Sequence, residues 1–174
     1  MHFDEELKEL NTGILKMAAM VEESIHLAVD ALKNRDEKLA SKVIADDGKI
    51  DEKEIEIEDY ALTLLSRHQP QAGDLRFIIN AIKINRDLER IADLSVDICQ
   101  RTIELAKQPI LKPLMDVLRI SLIARDMVRN AINSFVNRDV NLARKVIFSD
   151  QEIDNLRNQV QKELIYDYMG KNCA

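Results

Sequence analysis

This 174-residue chain has no tryptophan, and aromatics of any kind make up 4% of it; glycine occurs four times and proline three times. Strands and tight turns draw heavily on those residues, so their scarcity excludes a sandwich or barrel and leaves an all-α chain. The two cysteines, Cys99 and Cys173, form no CxxC pair, and the N-terminal MHFDEELKEL places acids where a signal peptide needs a basic and then an apolar run. A cytoplasmic protein with reduced thiols is the expectation. No stretch approaches the ~20 consecutive apolar residues of a membrane span, so membrane association is expected only through partners. A net charge of −6 argues against nucleic acid, where Lys and Arg must neutralise phosphates. There is no Gly-rich phosphate loop, nucleophile elbow or Cys/His cluster.

What is present is helical periodicity. Leu7, Leu10, Ile14, Met17, Val21, Ile25, Ala28 and Leu32 step by three and four, which lays one apolar stripe along a first helix. Asn34-Arg35-Asp36 ends it, with Asn34 suited to a left-handed turn position and Asp36 to an N-cap. A second helix is expected from about Glu37 to Arg67. Pro70 and Gly73 stop it, and Asp74 is placed to cap a third helix that runs to about Lys107. Gln108 to Pro113 holds two of the three prolines and is the expected joint between residues 1–108 and 109–174.

Beyond that joint the pattern starts again. NRDEKLASKVIADDGKID at 34–51 returns as NRDVNLARKVIFSDQEID at 137–154, with eleven of eighteen positions identical and Asp36 matched to Asp139. The fold class is therefore a tandem repeat of three-helix bundles. The counterpart of the third helix falls near position 177, so the second bundle is expected to lack it in this chain, to expose apolar surface, and to be completed in an intact protein by a sixth, acidic helix.

The second and third helices carry acidic rows. Asp47, Asp51, Glu54 and Glu58 stack on one side of the second, bordering its apolar stripe; Glu89, Asp93 and Asp97 follow Arg86 on the third. Stacked carboxylates repel, so stability alone does not select them. Three things would compensate them: ion pairs with Lys83, Arg86, Arg90 and Arg101; hard, oxygen-preferring cations; or an enzymatic acid/base pair. A di-iron carboxylate enzyme needs two Glu-x-x-His spacings, and only Glu23 with His26 supplies one. Counting back and forward from the 68–74 turn, the two rows fall at the same height.

M-V-E-E at Met20 to Glu23, R-H-Q-P-x-A-x-D-L-R at Arg67 to Arg76 and D-L-E-R-I-A-D at Asp87 to Asp93, together with the repeat, resemble the PhoU family of phosphate-uptake regulators. The resemblance implies E(D)xxxD motifs holding a multinuclear metal site, iron first and other oxygen-preferring divalent cations as alternatives. The matching positions are Glu89 with Asp93, Asp47 with Asp51, and Asp150 with Asp154, with Asp97 and Glu54 as neighbouring ligands. Ala92 and Leu94 stand where the family commonly has Gly and His, which favours all-oxygen ligation. Arg157 and Gln161 at the positions of Glu54 and Glu58 weaken a second cluster. By the same resemblance the chain is not an enzyme but a negative regulator of phosphate uptake and the starvation response. Its expected partners are the ATPase subunit of a phosphate ABC transporter and a sensor histidine kinase, with a homodimer as the assembly. A di-metal carboxylate enzyme and a metal-free helical scaffold are the alternatives.

Overall fold

The computed structural model describes residues 3–109 and 115–169. They form six α-helices: α1 (Phe3–Asn34), α2 (Glu37–Asp46), α3 (Gly48–His68), α4 (Ala72–Leu105), α5 (Met115–Val136) and α6 (Val140–Glu163), the last followed by a π-turn at Leu164–Met169. No strand occurs among the described residues. The chain divides into two compact units, Met1–Pro109 and Ile110–Ala174.

In the first unit α1 lies along α4, while α2 and α3 form a third rod packed against both. Leu10, Ile14, Met17 and Val21 of α1 meet Leu64 of α3 and Ile78, Ala81 and Leu88 of α4 in a core that excludes solvent almost completely. Toward the other end the core narrows to Ala28, Ala31, Ala40, Val43 and Cys99, small side chains that let three helices approach closely. Burial there pushes the Cys99 thiol up to about 11, so it stays protonated and unreactive.

The long second helix expected from the sequence is interrupted. Asp47 keeps right-handed helical dihedrals (φ −59°, ψ −39°) but separates α2 from α3. Its carbonyl accepts from both Ile50 and Asp51. In the repeat, α6 follows the same template with Gln151 in place of Gly48, and with Phe148, Ser149 and Glu152 changed beside it, and runs unbroken, in keeping with a glycine that weakens the helix at this point.

The two NRD turns share their dihedrals and hydrogen bonds. Asp36 and Asp139 each accept from two backbone N–H groups at the head of α2 and α6. The left-handed residue, however, is Arg35 (φ 55°) and Arg138 (φ 54°), not the asparagine before it. Asp36 N–H to Ala31 C=O, with Arg35 N–H to Leu32 C=O, closes a Schellman motif, and Asp139 with Arg138 repeats it on Ser134 and Phe135. The Arg35 guanidinium also donates to the carbonyls of Leu105 and Gln108 at the end of α4. That long-range tie offsets part of the cost of a left-handed arginine where glycine is the usual occupant.

At the 69–72 turn the positive φ values belong to Gln69 (45°) and Ala72 (41°), while Gly73 lies inside α4. Gln71 occupies the cap position, so Asp74 sits in the first turn of the helix instead of capping it.

In the second unit α5 and α6 pack on each other, joined by an Arg119–Glu152 ion pair of 3.0 Å. With one partner helix each among the described residues, they leave Leu122, Val140, Ile147 and Phe148 largely exposed. Ile147 occupies the template position of half-buried Ile44 but is 71% exposed. Residues 110–114, Gly170 and Cys173 lie outside the described residues.

Candidate metal centre

Helices α3 and α4 run antiparallel from the 69–71 turn, and one buried side chain fixes their register. Asn85, with no solvent exposure, donates from Nδ2 to the Glu54 carbonyl at 2.8 Å. Asp47 then faces Asp93, Asp51 faces Glu89, and Glu54 faces Arg86, each pair acting on one another electrostatically. All three pairs are centred on position 70. The carboxylates of one helix thus lie level with those of the other, at the edge of the core.

At Asp47, Glu54 and Glu89 the environment disfavours charge. Partial burial, followed by Asp51 and Asp93, raises Asp47 above the ordinary carboxylate range. Glu54 is raised by burial and by Glu58, with the Arg86 guanidinium pulling the other way. Glu89 is raised by burial, then by Asp93, Asp51 and Glu54. Among the described residues none of these carboxylates has a cation within ion-pair distance. Three basic side chains on these helices are engaged elsewhere, Lys49 with Asp46 and Lys53 with Glu56, both at 2.6 Å, and Arg101 with Glu104 at 3.3 Å, while Arg86 acts on Glu54 from a distance. Apart from the pull of Arg86 on Glu54, no ion pair among the described residues compensates this row.

Asp47 holds the most telling atom, because its Oδ1 is buried without a hydrogen-bond partner. An orphaned carboxylate oxygen beside two further acids is a donor awaiting a cation or a proton. On its other side Asp47 borders a cavity of about 380 Å³ lined by Met20, Glu23, Leu27, Val43 and Ile50. The donor set fits a hard, oxygen-preferring ion. The side chains are not drawn onto one point: no group of three His, Cys, Asp or Glu side chains among the described residues is arranged to hold an ion. Asp97 is exposed one turn beyond Asp93.

The second copy differs. Asp150 is exposed on α6, and Asp154 pairs with Arg157 at 3.0 Å, the residue that replaces Glu54. The charge of Asp154 is neutralised within one helix. His26 pairs with Asp30 on the surface at 3.6 Å. Two features escaped the sequence reading. Asn85 falls on the apolar stripe of α4, where its polarity was the available signal. Glu6, 4% exposed, lies 2.5 Å from His68 Nε2, and Tyr60 donates to Glu9 at 2.9 Å, joining the N-terminus of α1 to the end of α3. Burial and the Glu9 carboxylate push the Tyr60 hydroxyl up to about 12.

The family model described as the PhoU domain matches residues 14–102 and 117–173. The chain belongs to the PhoU family. An Aquifex aeolicus protein named "Phosphate-specific transport system accessory protein PhoU homolog" is 39% identical over 95% of this chain and 75% of its own length. A Thermotoga maritima homologue of that description is 35% identical over 95% of this chain and 72% of its own length. The crystal structure of PhoU from Pseudomonas aeruginosa superposes with a TM-score of 0.92 at 32% identity, covering 99% of this chain and 83% of that one. The tandem helical-bundle architecture is therefore the PhoU fold, and Asp47, Asp51, Glu89 and Asp93 all lie inside the first matched segment.

Proposed function

We infer that this chain is a regulatory accessory component of a phosphate transport system. The observation that carries the reading is its similarity, over nearly its whole length, to proteins named for that role. The finer reading is a cytoplasmic negative regulator and not an enzyme: it holds one or more oxygen-coordinated cations, iron first, between α3 and α4, and relays transporter state to a sensor histidine kinase. Asp47, Asp51, Glu54, Glu89 and Asp93 would bind the ion, which would supply positive charge that fixes the two helices against each other. What supports the ion is the level placement of two carboxylate rows, the raised protonation of Asp47, Glu54 and Glu89, and the unpartnered Asp47 Oδ1. Partners are the transporter's ATPase subunit and the kinase, with a homodimer as the assembly. No helix among the described residues is long and apolar enough to cross a membrane; membrane association through the partners alone is part of the same reading.

The decisive experiment is complementation of a bacterial strain lacking its own homologue, with a phosphate-starvation reporter as the readout. Restored repression in phosphate-rich medium supports the regulator; an unchanged reporter, with the protein present at normal level, removes it. Elemental analysis of protein purified without a metal-affinity step tests the cation separately.

A further inference from the structure

The outward face shared by α3 and α4 has two halves. The register that pairs Asp47 with Asp93 and Asp51 with Glu89 also sets Leu65 level with Leu75 and Leu62 level with Ile78 and Ile79. Near the turn this face is therefore aliphatic, with Leu62 50% and Ile79 40% exposed and Leu75 beside them. Farther from the turn it becomes the carboxylate row. Exposed aliphatic side chains carry no benefit to an isolated bundle, and acids without paired cations carry a cost. The two unmet demands lie end to end on one surface.

We propose that this face is the docking surface for a partner's amphipathic helix, whose aliphatic end covers Leu62, Leu75 and Ile79 and whose Lys- or Arg-bearing end lies over Asp51, Glu89 and Asp93. Charge complementarity selects this occupant. A second copy of the same face would cover the leucines but add carboxylates to carboxylates, and an anionic lipid surface would be repelled. A helix laid along a two-helix groove fits the geometry, and its basic end supplies the charge that the row lacks. The inference rests on the accessory-protein reading for the existence of a partner and does not require the metal. Because a bound cation and a basic segment would use the same carboxylates, each weakens the other's binding by the same factor.

The test uses the full 174-residue chain and a fluorescein-labelled helical peptide of about 18 residues, long enough at ~1.5 Å per residue to span both halves. Leucines occupy one stripe of its first half and arginines the same stripe of its second half. A control peptide carries glutamate for arginine. Anisotropy titrations in chelator should show binding of the arginine peptide that weakens as salt rises from about 50 to about 300 mM. The double variant Leu62→Ser/Ile79→Ser, altered only at exposed positions, should bind at least about tenfold more weakly. Glu89→Gln/Asp93→Asn should bind more weakly and lose part of the salt dependence. The proposal is overturned by absence of binding at up to about 1 mM, by equal binding of the glutamate peptide, or by a leucine/isoleucine double variant within twofold of the parent. Self-association of the parent that disappears in that variant, read by sedimentation, would assign the face to a second copy and also overturn it. If docking fails while the phosphate reporter still responds, the accessory role stands without this surface.

Discussion

Two glycines in the first unit should respond to alanine with opposite signs. Gly48 begins α3 immediately after the interruption at Asp47, and a Cβ built there meets nothing within 4 Å. Its backbone is helical, so Gly48→Ala removes unfolded-state entropy and gains helix propensity of about 0.8–1 kcal/mol, less some loss because the site is a helix end. We expect a net stabilisation of about 0.5–1 kcal/mol. Gly13, in the middle of α1, is different: a Cβ there would lie 3.3 Å from Cγ1 and 3.7 Å from Cδ1 of Ile57, a residue 3% exposed. The same propensity gain is set against overpacking of roughly 1–3 kcal/mol, since Ile57 must shift by a few tenths of an ångström to admit the methyl group. Gly13→Ala should therefore be destabilising, by up to about 2 kcal/mol.

The assay is thermal and urea unfolding followed by helical circular dichroism. For a chain of this size ~1 kcal/mol moves Tm by about 2–4 °C, so Gly48→Ala should melt a few degrees above the parent and Gly13→Ala below it. Gly48→Gln, which copies the second repeat, should also raise Tm, by slightly less. A Gly48→Ala protein that melts at or below the parent would refute the attribution of the Asp47 interruption to glycine, since nothing steric opposes the methyl group. Equal stabilisation by both variants would refute the close α1–α3 approach at Gly13.

The raised carboxylates predict a pH dependence: their stabilising contribution is fully present below the ordinary values of 3.8 for Asp47 and 4.5 for Glu54 and Glu89, and is lost as pH rises through their higher folded values. Glu89→Gln should accordingly raise the urea midpoint at pH 7.5, with the gain shrinking toward pH 4; a pH-independent difference would contradict the shared repulsion. Mn²⁺ or Fe²⁺ at about 100 times its Kd should stabilise the folded chain by about 2.7 kcal/mol, a Tm rise of several degrees that Asp93→Asn abolishes; no shift with either ion would count against the cation site. Arg35→Ala should cost about 1–2 kcal/mol in unfolding experiments because it keeps the left-handed backbone and loses the bonds to Leu105 and Gln108, whereas Arg35→Gly should cost less by relieving the backbone.

Periodicity, caps and the acidic rows were legible because each depends on residues a few positions apart. The stripe of α1, the Asp36 and Asp139 caps, and the level placement of Asp51 with Glu89 follow from helical spacing and a turn at a known place. What escaped depends on contacts distant in sequence. The left-handed Arg35 sends its guanidinium to carbonyls about seventy residues away, a contact no local pattern shows. Glu6 is buried because His68 and Arg67 come to it from the far end of α3. Asn85 sits in an apolar row because the Glu54 carbonyl of another helix accepts its amide proton. The one-residue interruption at Asp47 was hidden for another reason: an exposed glycine lowers helix stability by an amount that tertiary packing commonly overrides, so Gly48 alone decides neither outcome.

The two copies separate what the fold needs from what the acidic row adds. Both keep the NRD turn with its left-handed arginine, its Schellman bonds and its capping aspartate, and both keep the Lys-Val-Ile run behind it. They part at the carboxylates. Where the first copy has Glu54 and Glu58, the second has Arg157 and Gln161, and Arg157 closes on Asp154 at 3.0 Å. The helix bearing these replacements is formed over Val140–Glu163 and is unbroken where its counterpart is interrupted. A template that folds with the row neutralised does not need the row in order to fold. The repulsion accepted between α3 and α4, together with the unpartnered oxygen of Asp47, is therefore no part of what holds the bundle together.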